Sequence, residues 1–200
     1  MARLNDFIDM MKLEPLRQYC EEHGERYRYA KGECLVEQGM ICRWFALVKS
    51  GYFKFCATAT NGTLCVTGFS FSNDVTTDYV RSFLLGKPSR TSIIAGADTE
   101  VVRIPLSRIK EFGLSQKSDF FEYASSILLD EAYGRYLDQY TMTPLERYRH
   151  LVDHCPGDIS EVPLNELASY LRVSRRQFLR IRDEVKKYGR VSKFKLPPKG

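Results

Sequence analysis

The hydrophobic and polar positions of this chain change their periodicity once, near Pro105. Before that residue, short runs rich in β-branched and aromatic side chains alternate with glycine or asparagine, which is typical of strands joined by tight turns. The predicted strands are 26–29, 34–36, 44–49, 51–58, 64–69, 91–95 and 101–104. Asn61-Gly62, between two of them, favours a type I′ hairpin, since both central positions of that turn need a positive φ. We therefore expect an all-β barrel or sandwich.

Beyond Pro105 the pattern becomes helical. Residues 119 to 137 place apolar side chains at three- and four-residue steps, in two stripes. The first stripe is Phe120, Tyr123, Ile127, Gly134 and Leu137, and the second is Phe121, Ala124, Leu128 and Ala132. A helix with two apolar stripes needs two partners: its own β domain, and the same helix of a second subunit. Double burial within one monomer is the alternative.

Three shorter helices are predicted after the long one. Thr143-Pro144-Leu145-Glu146 combines a threonine N-cap, proline at the first helical position and a glutamate placed for a capping box. That helix should end before Pro156, and a second should run from 163 to about 171. Ser174 can cap the third, which extends to about 188, with Gln177 at its capping-box position.

The last two helices indicate a helix-turn-helix. The shared apolar seam would consist of Leu167, Leu171, Val173, Phe178 and Ile181, with the small Ala168 where the helices cross. Arg175, Arg176, Gln177 and Arg180 lie near the start of the second helix and outside that seam. A recognition helix presents such side chains to the major groove, where arginine suits guanine O6 and N7. A solvated basic face is the alternative interpretation.

The charge distribution agrees with this interpretation. The net charge is +5 overall, but it is +2 over residues 1–115, −3 over 116–145 and +6 over 146–200. Residues 172–199 contain 11 basic residues and only two acidic ones, Asp183 and Glu184. Such a concentration of positive charge at the C-terminal end predicts a polyanion as partner.

Several motifs together resemble the Crp/Fnr family of transcriptional regulators, in particular the short type common in Bacteroidetes. In the helical region they are Glu146-Arg147-Tyr148, Pro163-Leu164-x-x-Leu167-Ala168-Ser169-Tyr170-Leu171 and Ser174-Arg175-x-x-x-x-Arg180. In the β region they are Lys31-Gly32-Glu33, Glu37-x-Gly39, Val48-x-x-Gly51, Asn61-Gly62 and Pro88-Ser89-Arg90. The resemblance covers roughly residues 25–190.

This resemblance implies an α+β fold: an N-terminal double-stranded β-helix (a jelly-roll-like β-roll), a long dimerisation helix and a C-terminal winged helix-turn-helix. The implied domains are 1–115, 116–142 and 143–200. The implied partners are double-stranded DNA, a second copy of the chain and RNA polymerase. The implied DNA-binding residues are Ser174, Arg175, Arg176, Gln177, Arg180, Lys186 and Lys187.

The helix-turn-helix departs from the family pattern in three ways. Arg172 stands where a turn glycine is common, so an arginine must tolerate the backbone of that corner. Arg176 replaces the glutamate usual in cyclic-AMP-dependent members, so the operator should differ, because only an acid accepts from cytosine N4. The wing should be shortened to about residues 190–196.

The pocket for a small-molecule effector also departs from the family pattern. Thr77-Asp78 occupies the place of the Gly-Glu pair that serves cyclic-nucleotide-binding members, and Ser89 occupies the arginine position. Arg90 follows one residue later and should point to the other side of a strand. The candidate effector residues are thus Thr77, Asp78, Ser89, Arg90 and Thr91. A cyclic nucleotide is disfavoured, and no cofactor is expected.

Other classes of function find little support. No apolar run approaches the roughly 18 residues of a membrane span, so a cytoplasmic protein without membrane contact is expected. The six cysteines lack close pairs and are expected to be free thiols. His150 and His154 have zinc-compatible spacing beside Cys155, but no fourth ligand is evident, and no metal is expected. No nucleophile–base arrangement indicates an enzyme. The serious alternative is a ligand-binding β-roll whose helical tail binds protein.

Overall fold

A computed structural model of the chain describes residues 3–115 and 120–188. The strands are β1 Glu25–Tyr29, β2 Cys34–Val36, β3 Trp44–Ser50, β4 Phe53–Thr58, β5 Leu64–Ser70, β6 Val75–Thr76, β7 Ser92–Ala95 and β8 Thr99–Pro105. The helices are α1 Phe7–Met10, α2 Glu14–His23, α3 Leu106–Ser115, α4 Phe120–Thr141, α5 Pro144–His154, α6 Pro156–Glu161, α7 Leu164–Tyr170 and α8 Arg175–Tyr188. A π-helical segment, Tyr79–Leu84, lies between β6 and β7.

The eight strands form two four-stranded antiparallel sheets, in the orders β1-β8-β3-β6 and β2-β7-β4-β5. Strands distant in sequence are neighbours, as β3 and β8 are, so the sheets close into a jelly-roll-like β-roll, here called the roll. The α+β fold class is confirmed. Each of the seven predicted strands corresponds to an observed one, and only the two-residue β6 lacked a recognisable pattern.

The core of the roll lies between its two sheets. Val48 and Val101 contribute from one sheet, and Phe53 and Ile93 from the other, each at most 2% exposed. Burying a side chain of this kind stabilises the fold by about 1.5–3 kcal/mol. Gly51 joins β3 to β4 at φ +74°, where an added Cβ would lie 2.5 Å from the Asp98 carbonyl oxygen. The sharp corner between these strands therefore requires glycine.

Two N-terminal helices, which the sequence pattern did not predict, extend this core. Ile8 of α1 and Leu16 and Cys20 of α2 are buried against the roll. The signal for α2 was short but present: Pro15 lies in its first turn, and Leu16 and Cys20 stand four residues apart on one face. Burial raises the pKa of the Cys20 thiol to about 12, so this thiol stays protonated.

The long helix α4 packs one face on the roll and leaves the opposite face exposed. Ala124 is buried, and the half-buried Phe120, Phe121, Ile127 and Leu128 pack against the same core. Phe120 and Ile127 belong to the first of the two predicted stripes, and they pack toward the roll. Both lie within about 60° of Ala124 around the helix, which places them toward the roll.

The exposed face of α4 carries a different apolar stripe, here called the outer stripe. Its members are Leu129, Tyr133, Tyr136 and Tyr140, which are 71%, 59%, 52% and 71% exposed. They recur at steps of four, three and four residues and lie about 120–180° from Ala124. Tyr136 contacts both neighbouring tyrosines, with ring centroids 6.3 Å from Tyr133 and 5.0 Å from Tyr140.

Helices α5 to α8 form a second core together with one surface of the roll. Phe69 and Phe71 from the roll share it with Leu151, Leu167 and other helical residues. The capping box at the start of α5 is present as predicted: the Thr143 hydroxyl accepts from the Glu146 amide, and the Glu146 carboxylate accepts from the Thr143 amide. The short α6 was not predicted. The expected wing at 190–196 lies outside the described residues.

Within the described ranges, no helix combines the length and the apolar character that crossing a bilayer requires. All six cysteines fall inside these ranges and are free thiols, as expected, four of them buried.

Candidate nucleic-acid interface

The turn between α7 and α8 is built around one left-handed residue. Arg172 adopts φ +59°, the conformation for which glycine is favoured, and its guanidinium donates to the Gln139 side-chain oxygen at 2.9 Å. The next residues start α8, where the Ser174 hydroxyl accepts from the Gln177 amide at 3.2 Å. That bond satisfies one of the amides left unpaired at a helix start. The predicted cap at Ser174 is confirmed.

The predicted seam between α7 and α8 is buried. Leu167, Ala168, Leu171, Phe178 and Ile181 are each at most 8% exposed, and Val173 is half-buried beside them. The seam also includes α5, because the Tyr148 ring meets the Phe178 ring edge-on at 5.0 Å. Helices α5 and α7 therefore hold α8 in a fixed orientation.

The opposite side of α8 presents its polar residues to solvent. Ser174, Arg175, Arg176, Gln177, Arg180, Lys186 and Lys187 are all exposed. Ser174 caps α8, and the next four residues lie in its first two turns, where the helix dipole adds positive potential. Lys186 and Lys187 lie in the last turn, where their positive charges interact favourably with the negative end of the helix dipole. The geometry brings the predicted arginines onto one accessible surface, here called the basic face: Arg175, Arg176, Gln177 and Arg180.

Helix α7 is docked on the roll by polar contacts that sequence reasoning missed. The Lys54 ammonium on β4 pairs with Glu166 at 2.5 Å, and the Tyr52 hydroxyl donates to the same carboxylate at 3.1 Å. The Val66 amide on β5 donates to the Ser169 hydroxyl at 2.9 Å. Burial, with Glu166 beside it, raises the pKa of Tyr52 far above its usual value. These partners are more than 100 residues apart, so no local pattern could reveal them.

The N-terminal segment joins three parts of the molecule. The Leu4 amide donates to the Asp158 carboxylate of α6 at 3.0 Å, and Arg135 of α4 donates to the Leu4 carbonyl at 2.7 Å. Asn5 donates to the buried Asp74 carboxylate of the roll at 2.6 Å. A short peptide therefore ties the roll, α4 and the C-terminal helices together.

The five candidate effector residues do not converge on one point. Asp78 caps the π-helical segment, accepting from the Ser82 amide and hydroxyl, and the Thr77 hydroxyl donates to the Trp44 carbonyl. Ser89 is buried and donates to the Thr91 carbonyl at 2.7 Å, whereas Arg90 is exposed. Thr77, Asp78 and Thr91 line a partly open cavity, but Ser89 and Arg90 are not among its lining residues. The expected orientation of Arg90, away from the interior, agrees with its exposure.

The histidine pair forms a local contact on α5. The rings of His150 and His154 stack at 4.1 Å, and Nδ1 of His154 lies 2.9 Å from the His150 carbonyl oxygen. Across residues 3–115 and 120–188, no group of three or more histidine, cysteine or acidic side chains is placed to hold a metal ion.

Comparison with solved structures relates this architecture to known regulators. FixK2 from Bradyrhizobium japonicum matches with a TM-score of 0.68 at 13% identity, over 85% of this chain and 89% of FixK2. A protein from Eubacterium rectale, assigned to the Crp/Fnr family of transcriptional regulators, matches with a TM-score of 0.64 at 15% identity, over 90% and 86%. CLP of Xanthomonas campestris, a c-di-GMP responsive global regulator, gives 0.61 at 18% identity, over 87% and 91%.

The chain therefore has a Crp/Fnr-type fold, which confirms the resemblance found in the sequence at the level of the fold. No protein-family model matches the chain, and no curated protein sequence matches it.

Proposed function

We propose that this protein is a sequence-specific DNA-binding transcriptional regulator. The observation that carries the proposal is the basic face: Arg175, Arg176, Gln177 and Arg180 are exposed on the first two turns of α8. The other side of that helix is fixed by a buried seam. A rigid helix with an accessible, cationic N-terminal half matches the geometry by which recognition helices enter the major groove. The Crp/Fnr-type fold supports the same function.

The proposed assembly is a homodimer formed along α4. The outer stripe offers four large apolar side chains on one helix face, at the spacing by which two helices pack in a coiled coil. An exposed apolar patch of this kind marks an interaction surface. A two-fold dimer would present two basic faces, and its operator would be a palindrome whose half-sites lie about one helical turn apart.

The proposed division of labour assigns sensing to residues 1–115, dimerisation to 116–142 and DNA binding to 143–200. An effector in the roll would shift the dimer between spacings of the basic faces that do and do not fit an operator. The docking of Glu166 and Ser169 on β4 and β5 supports such coupling, because it connects the roll directly to the helix that precedes the basic face. Contact with RNA polymerase stays a prediction.

Selection from a pool of random DNA duplexes, followed by binding titrations over a salt series, tests this proposal. We expect enrichment of one palindromic sequence, and a log–log salt dependence with a negative slope of about 0.9 per phosphate contacted. Failure to enrich any sequence, together with salt-insensitive binding, would contradict it. That outcome would favour the alternative in which the helical tail binds a protein.

A further inference from the structure

A large cavity, partly open to solvent, lies where the roll, the N-terminal helices and α4 meet. Its volume is about 340 Å³. That is roughly twice the 150 Å³ of an engineered apolar cavity that stays dry and binds benzene. The cavity is therefore large enough for a molecule of about two aromatic rings.

The walls of the cavity are predominantly apolar. Phe7 and Met11 line it from the N-terminal segment, Phe45 from the roll, and Phe121 and Leu128 from α4. These side chains belong to or pack against the main core, and their rings would stack on or meet the edge of a flat ligand. A ligand that fills this space would gain chiefly from burial of its own apolar surface.

The two charged residues among the described lining residues are already engaged. Asp78 accepts from the Ser82 hydroxyl at 2.7 Å, and Arg135 pairs with Glu131 at 2.8 Å while donating to the Leu4 carbonyl. No unpaired guanidinium is therefore offered to a phosphate, and the Asp78 carboxylate would repel one. Burying a charge without such a partner is strongly unfavourable.

We propose that this cavity binds an uncharged, largely apolar small molecule about the size of two fused aromatic rings. We further propose that this molecule is the effector of the regulator, a part that rests on the function proposed above. This ligand class differs from the anionic nucleotides for which the Thr77-Asp78 and Ser89-Arg90 positions were considered.

The position of the cavity gives such a ligand a route to the C-terminal helices. Ala124 and Leu128 of α4 line it, and Arg135, further along the same helix, lines it too while holding the Leu4 carbonyl. Leu4 in turn donates its amide to Asp158 of α6. A ligand that displaces α4 or the N-terminal segment therefore acts on contacts that position the C-terminal helices.

A matched set of probes tests the ligand class on the full-length protein. At pH 7, 2-naphthol is an uncharged two-ring compound, 2-naphthoate has the same rings with a carboxylate, and cyclic AMP is an anionic nucleotide. Calorimetric titration should give 2-naphthol a dissociation constant about tenfold or more lower than that of either anion. Equal or tighter binding of 2-naphthoate or cyclic AMP, or no binding of 2-naphthol, would overturn the proposal.

Two cavity-filling variants locate the site. Ala124→Leu adds volume from α4. Gly68→Leu adds it from β5, where a new Cβ meets only the Phe55 ring within 4 Å, at 3.7 Å. Both should weaken 2-naphthol binding about tenfold or more, whereas the control Ala132→Leu, on the exposed side of α4, should not. Unchanged binding in a folded filling variant would overturn the site. If neither variant folds, the probe comparison on the unaltered protein still decides the ligand class.

The effector role needs a separate measurement, because the titrations above contain no DNA. Saturating 2-naphthol should change the affinity of the protein for its selected duplex about fivefold or more, and Gly68→Leu should abolish that change. Binding of 2-naphthol without any DNA binding would contradict the proposed function alone. Specific DNA binding without 2-naphthol binding would contradict this inference alone.

Discussion

The Lys54 ammonium, on β4, lies 2.5 Å from the Glu166 carboxylate, on α7. Their side chains are only 21% and 15% exposed, so this ion pair is largely removed from solvent. The Tyr52 hydroxyl donates to the second oxygen of the same carboxylate at 3.1 Å. The helix that precedes the basic face is therefore held directly by the roll, and any rotation of α7 must break this contact.

Removal of Glu166 should destabilise the protein. Glu166→Ala leaves the half-buried Lys54 ammonium and the hydroxyl of the buried Tyr52 without their acceptor, and we expect a loss of about 1–3 kcal/mol in the free energy of unfolding. Glu21→Ala is the control, because its pair with Lys49 is more than 40% exposed on both sides and should contribute about 0–1 kcal/mol. Urea denaturation measures both, and equal losses would contradict the importance of the docking contact.

The buried Asp74 should make stability depend on pH. Burial raises its pKa from 3.8, although hydrogen bonds from Asn5 and the Phe71 amide oppose that rise. The folded state therefore binds the carboxyl proton of Asp74 more tightly than the unfolded chain does. The contribution of this proton to the free energy of unfolding is complete below about pH 3.8, and it is lost as the pH rises through the folded-state pKa of Asp74.

Asp74→Asn tests this pH dependence, since the amide oxygen can still accept both hydrogen bonds but does not titrate. Urea denaturation at several pH values should show that the free energy of unfolding of the variant increases relative to that of the unaltered protein as the pH rises. A relative free energy of unfolding that instead decreases with rising pH would show that the pKa of Asp74 is lowered rather than raised.

A charge on the outer stripe should dissociate the proposed dimer. Leu129→Glu would place a carboxylate from each subunit near its twin in an apolar contact, so desolvation and repulsion both oppose association. Leu114→Glu is the matched control, because Leu114 is 87% exposed on α3 and away from that stripe. Sedimentation velocity should report monomers for the first variant and dimers for the second. A dimer that survives Leu129→Glu would place the interface elsewhere.

Local patterns predicted the helix-turn-helix well, because its evidence is contained in neighbouring residues. The cap at Ser174 depends on a partner three residues away, and the seam on a helical repeat. Arg172 is less direct. The family pattern marked this position as one where a turn glycine is common, but the φ of +59° that the arginine adopts is seen only in the structure.

Features made by distant residues escaped prediction. Periodicity showed that α4 has two faces, but only the packed fold shows that Ile127 faces the roll and that Tyr136 faces outward. Asp78 was considered as a ligand residue, and its engagement with Ser82 depends on a π-helical turn that no sequence signal announced. Lys54 and Glu166 are 112 residues apart in the sequence, so their ion pair too is visible only in three dimensions.

Arginines and lysines of α8 should affect DNA binding in different ways. Arg175→Ala and Arg180→Ala should each weaken binding to the selected duplex by about 1–3 kcal/mol and relax the preference at one base pair. Lys186→Ala should weaken binding to all DNA sequences to the same extent, and it should reduce the slope of the log–log salt dependence by about one unit. Arg26→Ala, an exposed arginine on β1, is the control and should change neither quantity. A uniform loss across all four variants would indicate that only net charge matters.

The ratio of specific to non-specific affinity tests the central claim most directly. Fluorescence anisotropy should be used to titrate the selected duplex and a scrambled duplex of the same composition at one physiological salt concentration. We predict that the unaltered protein binds the selected duplex at least about a thousandfold more tightly. The ratio should fall steeply in the Arg175→Ala/Arg180→Ala double variant. A ratio near one for the unaltered protein, or a double variant that keeps the full ratio, would contradict the account.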